Sequence, residues 1–265
     1  MDMDKAITSI EKQLKEFVGD KKAIIGLSGG IDSTVIAYLC ERALGKENVV
    51  GISMPCYGVS SESSKDDAVL VATALDIPFK VRGIGDAVKA FKEMETDGVK
   101  DLTLGNVMAR VRMVTLYMYA NELGGMVIGT TNKTEAAIGY YTKYGDGAVD
   151  VEPIAGLYKT EVWEMAKVLG VPQNIIDKKP SAELWEGHSD EDELGMTYVE
   201  MDAMLEEFTY YTVTWYNKLF FKDKYMEKML KKFAHKYSAE KAVKLLALVS
   251  SSKHKKNMPP AFDIE

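Results

Sequence analysis

The stretch Ala23-Ile24-Ile25-Gly26-Leu27-Ser28-Gly29-Gly30-Ile31-Asp32-Ser33 decides the architecture. Its apolar start, Ala23 to Leu27, predicts a buried strand. The residues from Asp32 to Leu44 predict a helix with Val35, Ile36, Leu39 and Ala43 on its buried side. A glycine-rich turn between such a strand and helix has the geometry of a phosphate site. Glycines let backbone amides approach an anion, Ser28 and Ser33 offer hydroxyls, and the helix directs its partial positive end at the ligand. No Lys follows the glycines, which excludes a Walker A loop, and the spacing of Gly26, Gly29 and Gly30 excludes GxGxxG.

Working outward, Val49 to Met54, Ile77 to Val81 and Met126 to Ile128 are further short apolar runs, separated by helical stretches. That alternation predicts an α/β fold, a Rossmann-like parallel sheet flanked by helices, with a helical C-terminal part. Ile7, Ile10, Leu14 and Phe17 make the first residues an amphipathic helix and not a signal peptide. Ser61 to Leu75 predicts a helix whose apolar residues include Val69, Leu70 and Ala74. Leu102 to Leu123 predicts a longer one, with Val107, Val111, Val114 and Met118 apolar. On that helix Asn106 and Arg110 share a face, while Arg112 projects to nearly the opposite side and reads as structural or interfacial. Ile138 to Gly147 reads as a loop. From Glu191 to about Ser250 the pattern is helical, and the aromatic run Phe208 to Phe221 reads as core packing, with a subunit interface as the alternative. No linker or internal repeat divides the chain, so a single domain, 1–265, is expected.

The 265 residues are 46% apolar and 28% charged, and no apolar run approaches the roughly 20 residues of a membrane span. A net charge of −7 argues against broad nucleic-acid binding, which needs clustered Lys and Arg. Cys40 and Cys56 are too few for a disulfide framework and too far apart for a CxxC pair, which fits a cytoplasmic protein.

SGGxDS after a first strand resembles the signature of the PP-loop ATP pyrophosphatases, which adenylate a carboxylate or carbonyl oxygen and release pyrophosphate. The segments Gly105 to Met113, Val127 to Glu135, Thr142 to Asp146, Pro153 to Thr160, Lys179 to Trp185, Ser189 to Gly195 and Lys253 to Lys255 follow in the order of the NAD synthetases. The resemblance implies an adenine nucleotide α-hydrolase-like fold and an ammonia-dependent ligase, which adenylates deamido-NAD and amidates it to NAD. Other PP-loop ligases, tRNA-modifying enzymes and non-catalytic adenine-nucleotide-binding modules are the alternatives. The set Asp32, Glu135, Lys143 and Lys159 speaks for catalysis.

By the same resemblance Gly26, Leu27, Ser28, Gly29, Gly30, Ile31, Asp32 and Ser33 hold ATP, joined by Thr130, Lys159 and Ser181. Asp32 and Glu135 hold Mg2+. Arg110, Lys143, Asp150, His254 and Lys255 bind deamido-NAD, with Asn106 a further candidate, and Asp146 and Lys159 take catalytic roles. Two carboxylates suit a hard cation, and cations suit the diphosphate of the acceptor. Asp146 is expected to attract ammonium or accept its proton, and the loop Tyr140 to Gly147 to close over the adenylate. The resemblance also implies a homodimer and no partner nucleic acid or membrane. No glutaminase segment is expected within the chain, and a separate glutaminase subunit stays open. The sequence departs from the family's wording at Gly187-His188-Ser189-Asp190, where a Gln commonly stands in the place of His188.

Overall fold

The structure is a computed structural model that describes residues 1–183, 185, 187–216 and 236–257. Four strands, β1 (Lys22–Gly26), β2 (Val49–Ser53), β3 (Phe79–Val81) and β4 (Gly125–Ile128), form one sheet in the order β3-β2-β1-β4. Every pairing is parallel, as the alternation of strands and helices predicts. β2 is buried at all five positions and Ala23, Ile24 and Ile25 of β1 are wholly enclosed, because helices cover both faces.

On one face lie α1 (Met3–Val18), α2 (Ile31–Leu44) and α3 (Glu62–Ala74). Across the other lie α4 (Gly85–Lys92) and the long α5 (Asp101–Leu123). Val35, Ile36 and Leu39 of α2 are buried as their spacing predicts, whereas Phe17 of α1 is exposed. In α3 the outcome differs from the expectation. Ser64, Ala68, Val71 and Ala72 form the buried row, and Val69 and Leu70 face solvent. Small side chains at Ser64, Ala68 and Ala72 let this helix approach the sheet closely, so residue size chooses the buried side here. α5 carries apolar residues on every side. Gly105, Met108 and Ala109 are buried, while Val114 and Met118 are exposed.

The chain continues through α6 (Lys133–Ile138), α7 (Lys159–Leu169), α8 (Gln173–Ile176), α9 (Asp190–Leu194) and α10 (Tyr198–Tyr216). α7 joins the layer of α1 and α2, with Val162, Met165 and Ala166 fully buried. The last described helices are α11 (Ala239–Ser251) and α12 (Lys253–Lys256). Ile138, Tyr158, Leu194, Met201, Met204 and Leu245 tie α6, α7 and α9 to α10 and α11 in a separate apolar cluster. Phe208 packs half-buried against Ala242, and the side chains of the remaining aromatic run lie outside the described residues. Among the described residues no helix is long and apolar enough to cross a membrane.

Strand order reverses direction at β1, which has β2 on one side and β4 on the other. In an open parallel sheet the loops at the carboxyl ends of such strands diverge and leave a crevice. The loops following β1, β2 and β4 open into it.

Candidate active site

A cavity of about 620 Å³ fills that crevice. Its wall includes Gly26, Leu27, Ser28, Gly30, Ile31, Asp32 and Ser33 from the loop after β1. Thr130, Glu135, Lys159 and Ser181 join them from later segments.

The loop is held by its own serines. Ser28 Oγ and Ser33 Oγ lie 3.0 Å apart, the Gly30 amide donates to Ser28 Oγ at 3.2 Å, and Ser33 Oγ donates to the Gly30 carbonyl at 3.0 Å. Gly29 has φ +78°, and a β-carbon there would stand 2.1 Å from the Ser64 carbonyl oxygen. Only glycine fits this contact, which packs the loop against α3.

Lys159 begins α7 and its side chain is almost wholly buried between two carboxylates. It donates to Asp32 Oδ2 and stands 3.6 Å from Glu135 Oε1. Asn132 caps α6 by accepting the Glu135 amide at 3.0 Å, and its side-chain amide donates to Asp32 Oδ1 at the same distance. The Lys159 ammonium also lies 5.0 Å from the centre of the Tyr198 ring, whose hydroxyl donates to Asp190 at 3.0 Å. Burial works against the charge on Lys159, but Asp32 and Glu135 outweigh it and raise its pKa. Burial and the nearby negative charge of Asp32 raise the pKa of Glu135, against Lys159, which lowers it. Two half-buried carboxylates sharing one buried cation at a cavity wall mark a candidate functional site.

The opposite wall carries Asn106, Arg112, Thr142, Asp146 and Lys255. The turn from Thr142 to Gly147 presents Asp146, whose carboxylate accepts the Thr142 amide at 2.9 Å. Asp146 is exposed to the solvent that fills the cleft, with protein crowded around its carboxylate. Enclosure raises its pKa, against the Thr142 amide, Arg112 and Lys255, which lower it. Lys255 donates to the carbonyls of Gly139 at 2.7 Å and Tyr141 at 2.8 Å, so it braces the start of this loop.

The structure separates the expected acceptor residues. Lys255 reaches the cavity wall, whereas Arg110, Lys143, Asp150 and His254 are not part of it. Arg110 donates to the Lys143 carbonyl at 3.2 Å, and Lys143 donates to the His254 carbonyl. Asp150 accepts the Val127 amide at 2.7 Å at the edge of β4.

Arg112 departs from its expected structural or interfacial place, and Glu152 takes a tertiary position that no local pattern marks. Arg112 lines the cavity and donates to the Met54 carbonyl at 3.2 Å. The row Gly105, Met108, Ala109 and Arg112, at helical intervals, was the available signal for its inward direction. Glu152 accepts the Thr131 amide at 3.0 Å and its carboxylate fills the space beside Gly129, where a β-carbon would meet Oε2 at 2.3 Å. Burial raises its pKa to about 7.

The sequence pattern described as NAD synthase matches residues 3–259. The chain belongs to the NAD synthase family. It is 43% identical over 242 residues to an NH(3)-dependent NAD(+) synthetase of Archaeoglobus fulgidus, covering 91% of this chain and 88% of that protein. Among solved structures it is similar to an NMN synthetase from Francisella tularensis, at 31% identity and TM-score 0.83, with both chains covered in full. It is also similar to an NH3-dependent NAD synthetase from Campylobacter jejuni, at 29% identity and TM-score 0.77, covering 99% of this chain and 100% of that one.

In this NAD synthase fold the donor set at Asp32 and Glu135 fits magnesium. Among the described residues no cluster of three His, Cys, Asp or Glu side chains is placed to hold a metal ion. Two carboxylates beside the glycine-rich Gly26–Ser33 loop leave further positions open to other oxygen donors and water, which is the usual habit of magnesium.

Proposed function

We propose that this chain makes NAD from deamido-NAD, ATP and ammonia, releasing AMP and pyrophosphate. The observation that carries this reading is the meeting of Asp32, Glu135 and Lys159 at the Gly26–Ser33 loop, facing Asp146 across one cavity.

An oxygen of the nicotinate carboxylate attacks the α-phosphorus of ATP, and the bond from that phosphorus to the oxygen bridging to the β-phosphate breaks. The loop from Gly26 to Ser33 holds the phosphates through amides and hydroxyls, with Thr130 and Ser181 as further contacts. Lys159 opposes the charge that grows on the α-phosphate and on the departing pyrophosphate. Asp32 and Glu135 would hold magnesium, which when bound would supply further neutralisation of those phosphates.

Ammonia then attacks the acyl carbon of the adenylate and AMP departs with the bonding electrons. Asp146 draws ammonium to the cleft and accepts the proton shed as the amide forms. Its raised pKa suits a proton acceptor. Lys255 and Arg112 face the acceptor within the cavity. Arg110, Lys143, Asp150 and His254 take its more distant phosphate and ribose groups.

The chain acts as a single cytoplasmic domain that assembles as a homodimer. The exposed apolar residues Val114 and Met118, four apart on one face of α5, support such a pairing surface. A second acceptor, nicotinate mononucleotide, is favoured by the likeness to the NMN synthetase. Supplying purified protein with ATP, magnesium, ammonium and each acceptor in turn tests both. Faster amidation of deamido-NAD supports the first reading, and faster amidation of the mononucleotide supports the second.

A further inference from the structure

His188 sits between two walls of the cleft. Its side chain is fully enclosed, and the edge of Trp185 packs on the ring with centroids 4.2 Å apart. Burying an imidazole is costly unless both nitrogens find partners. Here Nδ1 lies 3.2 Å from Ser181 Oγ, and Nε2 lies 3.2 Å from the Tyr140 hydroxyl and 2.9 Å from Glu193 Oε2.

The two ends of the ring serve different parts of the site. Ser181 Oγ donates to the His188 carbonyl at 2.6 Å and accepts the Glu183 amide at 3.1 Å, so its hydroxyl proton is already engaged. With Nε2–H donating to Glu193, Nδ1 is the acceptor and shares that hydroxyl proton with the carbonyl. Ser181 lies on the nucleotide wall. At the other end, the Tyr140 hydroxyl donates to Glu193 at 2.6 Å, which encloses Nε2 between a phenol and a carboxylate. Tyr140 stands at the start of the loop that ends in Asp146. Lys255 grips the carbonyls on either side of it.

We propose that His188 is a positioning residue that couples Ser181 on the nucleotide wall to Tyr140 and the loop carrying Asp146. Through it, the placement of the hydroxyl that meets ATP and the placement of the group that handles ammonia become one structural unit. The proposal rests on the nucleotide and ammonia roles given above for Ser181 and Asp146.

The test is a pair of double-mutant cycles in the full chain, His188→Leu with Ser181→Ala and His188→Leu with Tyr140→Phe. ATP affinity is read by calorimetry with magnesium and no acceptor, kcat with all substrates saturating, and folding by thermal melting. His188→Leu should weaken ATP binding by roughly three- to tenfold, the span of one neutral hydrogen bond, and lower kcat as well. The affinity loss should nearly vanish in the Ser181→Ala background, and the kcat loss in the Tyr140→Phe background. His188→Gln, which keeps polar atoms at the ring's reach and guards against a misfolded leucine variant, should recover part of both. Losses that simply add in both cycles, or a fall in melting temperature with unchanged affinity and kcat, would overturn the coupling. A wild-type chain that binds ATP but amidates neither acceptor would instead defeat the assigned activity, and the affinity cycle would still report on the Ser181 half.

Discussion

Asp32 and Lys159, 127 residues apart in sequence, meet as a largely enclosed ion pair beside the Gly26–Ser33 loop. The pair joins the first helix after β1 to the start of α7, and Glu135 completes it from α6. Removing Lys159 leaves two buried carboxylates facing each other. Lys159→Met should therefore destabilise the metal-free protein by about 3 kcal/mol and slow pyrophosphate release by roughly a hundredfold or more. Adding Asp32→Asn should restore much of the stability and none of the activity. Chemical denaturation and a pyrophosphate assay measure the two effects, and a double variant that regains activity would contradict the assignment.

Arg112 and Arg110 should separate in kinetics, because one lines the cavity and the other does not. Arg112→Ala should lower kcat by about tenfold or more, whereas Arg110→Ala should chiefly raise KM for deamido-NAD. Steady-state rates over a range of both substrates decide this. Equal effects on kcat would remove the distinction.

Glu152 predicts a pH dependence of stability. Its folded-state pKa is raised from 4.5 to about 7 by burial, so between those values the folded chain holds a proton that the unfolded chain has lost. Its contribution is present below about pH 4.5 and is lost as pH rises through 7. Glu152→Gln should flatten the fall in unfolding free energy across that window, by at most about 1.4 kcal/mol per pH unit. Urea titrations at several pH values give the slopes, and parallel curves for the two proteins would exclude the effect.

The residues that proved legible in sequence are those whose chemistry is local. The strand, glycine turn and helix start around Gly26 to Ser33 are legible because they are contiguous, and all four strands fall where short apolar runs lie. The direction of α5 was less legible. Its apolar residues surround the helix, so Val107, Val111, Val114 and Met118 define no single buried side, and nothing apolar marks Arg112 as part of the inward row. α3 misled for a related reason, since small residues and not the larger Val69 and Leu70 make the contact. Glu152, Asp190 and His188 have meaning only through partners far along the chain. Their roles come from tertiary packing.

Neither cysteine should contribute to nitrogen transfer. Cys40 is fully buried and its pKa is pushed up to about 12, and burial also raises Cys56 despite the nearby Arg112. The variant with Cys40→Ala and Cys56→Ala should keep most of its ammonium-dependent rate, at a stability cost of about 1 kcal/mol per site. Loss of activity in a variant that melts normally would point to a thiol function.

The most direct test of the central claim follows labelled nitrogen with purified wild-type protein, ATP, magnesium, deamido-NAD and isotopically labelled ammonium, all products being identified by mass spectrometry. NAD should carry the label, with AMP and pyrophosphate formed in equal amounts and no transfer from amide-labelled glutamine in ammonia-free buffer. Formation of ADP and phosphate, or ATP cleavage without labelled NAD, would contradict that claim.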